Sequence, residues 1–374
     1  MEKQNESDNS SPSDISTRKK WLFVIFATAA SVFVAFTLCE LICRFTNIGC
    51  PNRTLTGPKK LYVSDPDPNI AFRMRPQYED FVYGAPVKIN EKGLRDQTTP
   101  FEKPPGVKRI LILGDSVAFG YGVPVEDTFS DQWEKKLNEA ESNSRWEIIN
   151  GGVPAYTTVQ EVRWFETEGF SYHPDAIIVT YVMNDPEPVH RLGENGNFVL
   201  QDIDQFYQEL ANLFPPTILP LTDISYFMRF LNRLLLIPHP HWKILHEKLV
   251  LYFCEEIFTT PAWEDCKESL RRLCQYSIKH DIFLLVAVYP MMYRLHSPDE
   301  HPFSPHYLHV QQFLKQEGIP CIVPLHPFIG QSVDAMRAYV DDPHPSRKSH
   351  RIFAQNLHGA LKNHWIQYDS SLSW

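Results

Sequence analysis

Five short runs of almost unbroken apolar residues limit what this chain can fold into: 109–113 (RILIL), 146–149 (WEII), 175–182 (DAIIVTYV), 282–289 (IFLLVAVY) and 319–323 (IPCIV). A strand with one wet face alternates apolar and polar residues. A run without alternation has both faces covered, as in a parallel sheet between two layers of helices. The segments between the runs are amphipathic, and this succession predicts an α/β fold. Thr158 and Glu161 stand at capping-box spacing and Gly169 is a stop, which frames a helix over about 159–168. Ser346 is placed to cap a last helix whose Phe353, Leu357 and Leu361 share one face. Between the third and fourth runs, residues 189–279 form an excursion longer than a simple crossover. It is expected to hold helices of its own over 242–258 and 262–280, as a lid or subdomain flanking a site. Cys266, Leu270, Leu273 and Cys274 recur there at helical spacing and read as core residues.

Composition narrows the classes. With 374 residues, 43% hydrophobic and 22% charged, the chain has material for a sizeable core, which excludes wholesale disorder. A net charge of −9 without any basic stripe argues against nucleic acid as a partner. Residues 1–20 are rich in Ser, Asn and acids and are expected to be a disordered cytoplasmic tail.

Residues 21–39 (WLFVIFATAASVFVAFTLC) bear no charge. At about 1.5 Å per residue they nearly cross a hydrocarbon layer about 30 Å thick, so 21–44 is expected to be a transmembrane anchor in the lipid bilayer. Arg18, Lys19 and Lys20 precede it, which predicts a cytoplasmic N-terminus and an extracytoplasmic remainder. A cleavable signal peptide is the competing reading, but its small-residue site at Ala27-Thr28-Ala29 comes too early in the apolar run. Lipid modification at Cys50 is weaker, since Asn47 replaces the aliphatic residue such a signal uses. In that compartment Cys50, Cys254, Cys266, Cys274 and Cys321 allow two disulfides at most. Residues 45–106 read as an irregular lead-in, and 107–365 as the main domain.

In a parallel sheet of this kind, ligands sit outside the carboxyl ends of the strands. The residues there are Gly114-Asp115-Ser116 after the first run, Asn150-Gly151-Gly152-Val153-Pro154-Ala155 after the second and Met183-Asn184-Asp185 after the third. Asp341-Asp342-Pro343-His344 stands just before the last helix. Acyl transfer by a serine needs a base, a carboxylate to orient it and donors for an oxyanion. Ser116 at a strand-to-helix turn, His344 as base and Asp341 three residues earlier supply the first three, with Asp342 competing for the carboxylate role. Asn184 offers a side-chain donor, Ser116 its amide and the loop after the second strand another N–H. Asp115 reads as a turn-stabilising carboxylate. His296, His301, His306 and His309 do not fit helical metal-ligand spacing, and their proline-broken stretch suits an exposed loop on the rim. No cofactor or metal is called for.

These four blocks, in this order, resemble the SGNH, or GDSL-type, hydrolase family over about residues 107–365. Asn90, Gly93 and Arg95 in KINEKGLRD are similar to the lead-in of its membrane-anchored members. The resemblance implies a three-layer α/β/α sandwich with a mainly parallel, flavodoxin-like five-stranded sheet. It also implies Ser116 as nucleophile, His344 as base, Asp341 as its partner and Asn184 as oxyanion donor. Counting from Asn150, the family's second oxyanion amide falls on Ala155 in place of glycine; its N–H serves if the position does not require a positive φ. Val182 likewise stands where the third block often has glycine. The implied activity is that of a membrane-anchored esterase or O-acyltransferase, with an acylated glycan or other small ester as substrate and acetyl as the acyl group. A glycan-binding scaffold without turnover, and a lipase or thioesterase for longer chains, are the alternatives.

Overall fold

The computed structural model describes residues 13–46, 61–82, 84–140, 145–193, 198–199, 225–228, 230–231, 241–339 and 342–368. They divide into two compact units, Met1–Pro51 with Pro215–Trp242 and Asn52–Phe214 with Lys243–Trp374.

In the first unit, helix α1 (Ser13–Thr46) contains a stretch, Lys19–Thr46, long and apolar enough to cross a membrane, with a mean hydropathy of 2.4. The helix already includes residues 13–20 of the expected disordered tail; residues 1–12 lie outside the described residues. Near its end, the Glu40 carboxylate accepts from Ser225 Oγ at 2.7 Å and from the N–H groups of Tyr226 at 3.2 Å and Phe227 at 2.9 Å. A carboxylate at the start of a helical turn satisfies donors that have no intrahelical acceptor. Phe36 meets Phe227 edge-on, with ring centroids 5.5 Å apart.

The second unit opens with two antiparallel pairs, β1 (Tyr62–Ser64) with β2 (Phe72–Met74) and β3 (Glu79–Val82) with β4 (Ala85–Lys88). The lead-in is therefore not irregular where it is described, and it is not separate from the main domain. Leu61, Ile70, Phe72 and Met74 are buried in the same apolar cluster as Leu111 and Leu113. Arg95 fastens the two parts from inside. Its Nη1 donates to the carbonyls of Phe119 (2.9 Å) and Gly120 (2.7 Å), and its Nη2 to those of Pro86 and Val123, both at 2.8 Å. Burial lowers the pKa of this guanidinium to about 10.

The central sheet and its helices follow in chain order: β5 (Val107–Gly114), α2 (Ser116–Phe119), α3 (Phe129–Ala140), β6 (Arg145–Asn150), α4 (Thr158–Thr167) and β7 (Ala176–Tyr181). The excursion holds the short pair β8 (Arg191–Leu192) and β9 (Phe198–Val199), then α5 (His241–Cys254) and α6 (Pro261–Lys279). Last come β10 (Phe283–Val288), α7 (Ser304–Gln316), β11 (Cys321–Ile322), α8 (Val333–Met336), β12 (Arg337–Tyr339), β13 (Asp342–Pro345) and α9 (Arg347–Tyr368). The five-stranded sheet runs β11-β10-β7-β5-β6 and is parallel throughout, the flavodoxin-like order that the resemblance implies.

Alternate residues of each strand serve opposite layers. Leu111, Leu113, Ile177, Val179, Leu284 and Val286 pack with α4, α6, α7 and the lead-in. Ile110, Ile112, Ile178 and Leu285 pack with Trp133 of α3 and with Phe353, Leu357 and Leu361 of α9. Fully burying one such side chain stabilises the fold by roughly 1.5–3 kcal/mol.

Three details differ from the sequence expectation. Helix α4 is capped one residue early: Thr157 and Gln160 form the capping box, which frees Glu161 from that role. His301 and His306 are buried rather than on an exposed loop; His306 is so because Pro305 sits in the first turn of α7, where a missing N–H costs nothing, and so starts a helix instead of breaking one. Cys254, Cys266, Cys274 and Cys321 are free thiols, the second of them buried in α6 as its spacing predicts; Cys50 lies outside the described residues.

Candidate functional site

The turn after β5 is tight because Gly114 has no side chain. A Cβ there would stand 2.7 Å from Ala118 Cβ and 3.1 Å from Thr180 Cβ. Asp115 caps α2, its Oδ1 accepting the Val117 N–H at 2.9 Å, so the helix begins on Ser116 at the strand end. It lasts one turn. Gly120 stops it with a left-handed φ of 80°, where a Cβ would meet Thr128 Cγ2 at 2.3 Å. The reversal delivers Tyr121 onto the ring of His344, stacked with centroids 3.9 Å apart.

The loop after β6 is tied down on both sides. Asn150 Nδ2 donates to the Ala118 carbonyl at 2.7 Å, and Asn150 Oδ1 accepts the Gly152 N–H at 2.9 Å. Ala155 is left-handed, with φ 68°. The position does take the positive φ that glycine adopts without strain, and the alanine accepts it at a cost of roughly 1 kcal/mol while keeping its N–H. What holds it there is His190, whose Nδ1 lies 2.7 Å from the Ala155 carbonyl and whose Nε2 lies 3.1 Å from Glu187 Oε2. Burial alone pulls the His190 pKa down, but the Glu187 carboxylate and the Ala155 carbonyl outweigh it, so the imidazole is held above its usual range.

At the end of β7, Asn184 Nδ2 donates to Asp115 Oδ2 at 3.2 Å. The same carboxylate oxygen lies 3.1 Å from Ser116 Oγ. On β13, His344 Nε2 lies 2.8 Å from Ser116 Oγ, although the two residues are far apart in the chain. Ser116, Asn184 and His344 are therefore brought together, with Asp115 as the hub between the first two. Ser116, Ala155 and Asn184 are each partly exposed between buried neighbours, and His344 is partly exposed as well. Asp341 and the side chain of Asp342 lie outside the described residues, so the choice between these carboxylates rests on the sequence.

The Ser116 hydroxyl has one proton and two acceptors in reach. It can rest on Asp115 or pass to the imidazole, provided that Nε2 is unprotonated. At the first position of a helix the Ser116 N–H has no intrahelical acceptor, which leaves it available beside the hydroxyl. Sequence reasoning did not single out Tyr121, nor His190 with Glu187. The signals were a glycine four residues after Ser116 and an acid and imidazole three apart just beyond Asn184.

Among the described residues no group of three or more His, Cys, Asp or Glu could hold a metal ion. A cavity of about 340 Å³ lies between the lead-in and α4, lined by Arg73, Lys92, Tyr156, Trp164 and Glu168 among others. None of Ser116, Ala155, Asn184 and His344 lines it.

No family model and no curated protein matches the chain. Among solved structures it is similar to an acetyl xylan esterase, with 12% identity over 68% of this chain and 99% of that one and a TM-score of 0.40. It is also similar to a psychrotrophic esterase from Pseudoalteromonas sp. (16% identity, 70% of this chain, 99% of that one, TM-score 0.37). A lipase/acylhydrolase from Enterococcus faecalis is a third (12% identity, 68% and 96%, TM-score 0.39).

Proposed function

We propose that the protein is a serine ester hydrolase working through an acyl-enzyme on Ser116. The observation that supports this most is the 2.8 Å contact between Ser116 Oγ and His344 Nε2, set beside N–H donors at the carboxyl edge of the sheet. His344 takes the hydroxyl proton as the oxygen attacks the ester carbonyl. The Ser116 and Ala155 N–H groups and the second Nδ2 hydrogen of Asn184 receive the developing oxyanion. The imidazolium returns the proton to the departing alcohol, leaving the acyl group on Ser116. Water, activated by the same imidazole, then releases the acid. If a sugar hydroxyl enters in place of water, the same residues perform O-acyl transfer.

The substrate we assign is a short acyl ester, acetyl first, on an extracytoplasmic glycan, with α1 as a single membrane span and the N-terminus in the cytoplasm. The absence of charge from residues 21–39 and the basic residues before them support that placement. The test uses the full chain in detergent, offered p-nitrophenyl acetate, then decanoate, then acetylated polysaccharides. Ser116→Ala is expected to lower turnover on the order of 10⁴-fold or more; equal release by both forms would reject the proposal. Faster release from decanoate than from acetate would move the substrate to longer chains.

A further inference from the structure

Beneath the site, Glu161 poses a problem of hydrogen bonding. It lies in the first turns of α4 with 1% of its surface exposed, and neither carboxyl oxygen has a hydrogen-bond donor among the described residues. An ionised carboxylate in such a place would be prohibitively desolvated. Its neighbour Asp185 is the opposite case. Asp185 Oδ1 accepts from Thr158 Oγ1 at 2.7 Å and Oδ2 from the Val182 N–H at 2.5 Å. The Asp185 N–H donates to the Val182 carbonyl at 3.2 Å and its carbonyl accepts the Thr158 N–H at 3.2 Å. Asp185 thus closes the turn that carries Asn184. Thr158, one turn before Glu161 on the same side of α4, ties Asp185 next to it, and two buried carboxyls so placed are best accommodated with one proton between them. Both Asp185 oxygens already accept donors, so the proton belongs to Glu161.

We propose that Glu161 is a positioning residue: as a neutral acid it donates to Asp185, and Asp185 in turn holds the Val182–Asp185 turn that sets Asn184 against Asp115. The inference rests on the reading of Asn184 as an oxyanion donor. The groups facing the pair are Asp115 at the end of β5, Tyr181 on β7, Cys266 on α6 and Glu187 beyond the turn. All are acids or neutral. His190 is engaged by Glu187 and the Ala155 carbonyl. Burial first, then the nearby carboxylates, push both carboxyls well above the usual range. Burial of both carboxyls thus favours keeping that proton, which is lost as pH rises. Two buried anions then repel each other next to Asp115, and the turn bearing Asn184 loosens.

The experiment measures kcat and KM against pH for the full chain in detergent on p-nitrophenyl acetate, with the Ser116→Ala rate subtracted. The parent is expected to lose kcat on an alkaline limb with KM little changed. Glu161→Gln, whose amide donates without a proton to lose, is expected to keep at least a third of the neutral rate and to lack that limb. Glu161→Leu, with no donor, is expected to drop kcat about tenfold, and to cost nothing further in an Asn184→Ala background. The parent-minus-Glu161→Gln infrared difference spectrum should show the carbonyl band of a buried protonated carboxylic acid. An alkaline limb unchanged in Glu161→Gln, or no such band in the difference spectrum, would overturn the inference, even if Glu161→Leu fails to fold. If Ser116→Ala retains the parent rate, it is the esterase reading that fails, which separates the two.

Discussion

The two halves of the candidate site are built differently. Ser116, Asn184 and Ala155 follow β5, β7 and β6, strands of the central sheet whose residues are almost wholly buried. Each is fixed by backbone or side-chain hydrogen bonds to its neighbours. His344 stands on β13, one of a two-stranded pair whose register shifts between Arg337 and Tyr339. That pair is fastened from outside: Arg337 Nε donates to the Met292 carbonyl at 2.7 Å, Arg347 pairs with Asp127 at 2.8 Å, and Tyr121 lies flat on the imidazole. The Ser116 half is pre-formed by the sheet, whereas the His344 half is held by side-chain contacts.

Substitutions should sort along this division. Asn184→Ala removes a rigidly placed donor and is expected to lower kcat on p-nitrophenyl acetate about 10²–10³-fold with KM nearly constant; an effect under threefold would take Asn184 out of the oxyanion role. Tyr121→Leu strips one contact among several from the His344 half. A loss of roughly 3–10-fold in kcat is expected, since stacked ring pairs contribute about 0.5–1.5 kcal/mol. If it matched the loss at Asn184, the His344 half would hang on that single ring and the contrast would collapse. The smallest effect belongs to Ala155→Gly. Releasing the strain at φ 68° should raise stability by about 0.5–1 kcal/mol in a chemical denaturation curve, with activity retained because the N–H remains.

Much of the sheet and of the turn that carries Ser116 was legible because both depend on short-range pattern. An apolar run announces a buried strand, and Gly-Asp-Ser after the first run announces a tight turn. Ser346 does cap α9, its Oγ accepting the Ser349 N–H at 3.4 Å. What stayed hidden depended on tertiary choice. Thr157-x-x-Gln160 and Thr158-x-x-Glu161 offer the same capping box in adjacent frames, and sequence cannot rank them. Asp185, from a distant strand end, recruits the Thr158 hydroxyl and so decides the frame. The burial of His301 was equally invisible, because its Nε2 lies 2.9 Å from the Met291 carbonyl, a backbone group with no sequence signature. Tyr121 acquires its place only because Gly120 turns the chain, which is a property of the packed Thr128 methyl as much as of the glycine.

The guanidinium of Arg95, hidden among four carbonyls from Pro86, Phe119, Gly120 and Val123, decides where a soluble fragment can be cut. A recombinant version starting at residue 107 would discard this arginine and bare the carbonyls around the segment that presents Ser116. One starting just ahead of Leu61 keeps the whole inner brace, so expression boundaries belong upstream of the first hairpin and not at the first strand of the sheet.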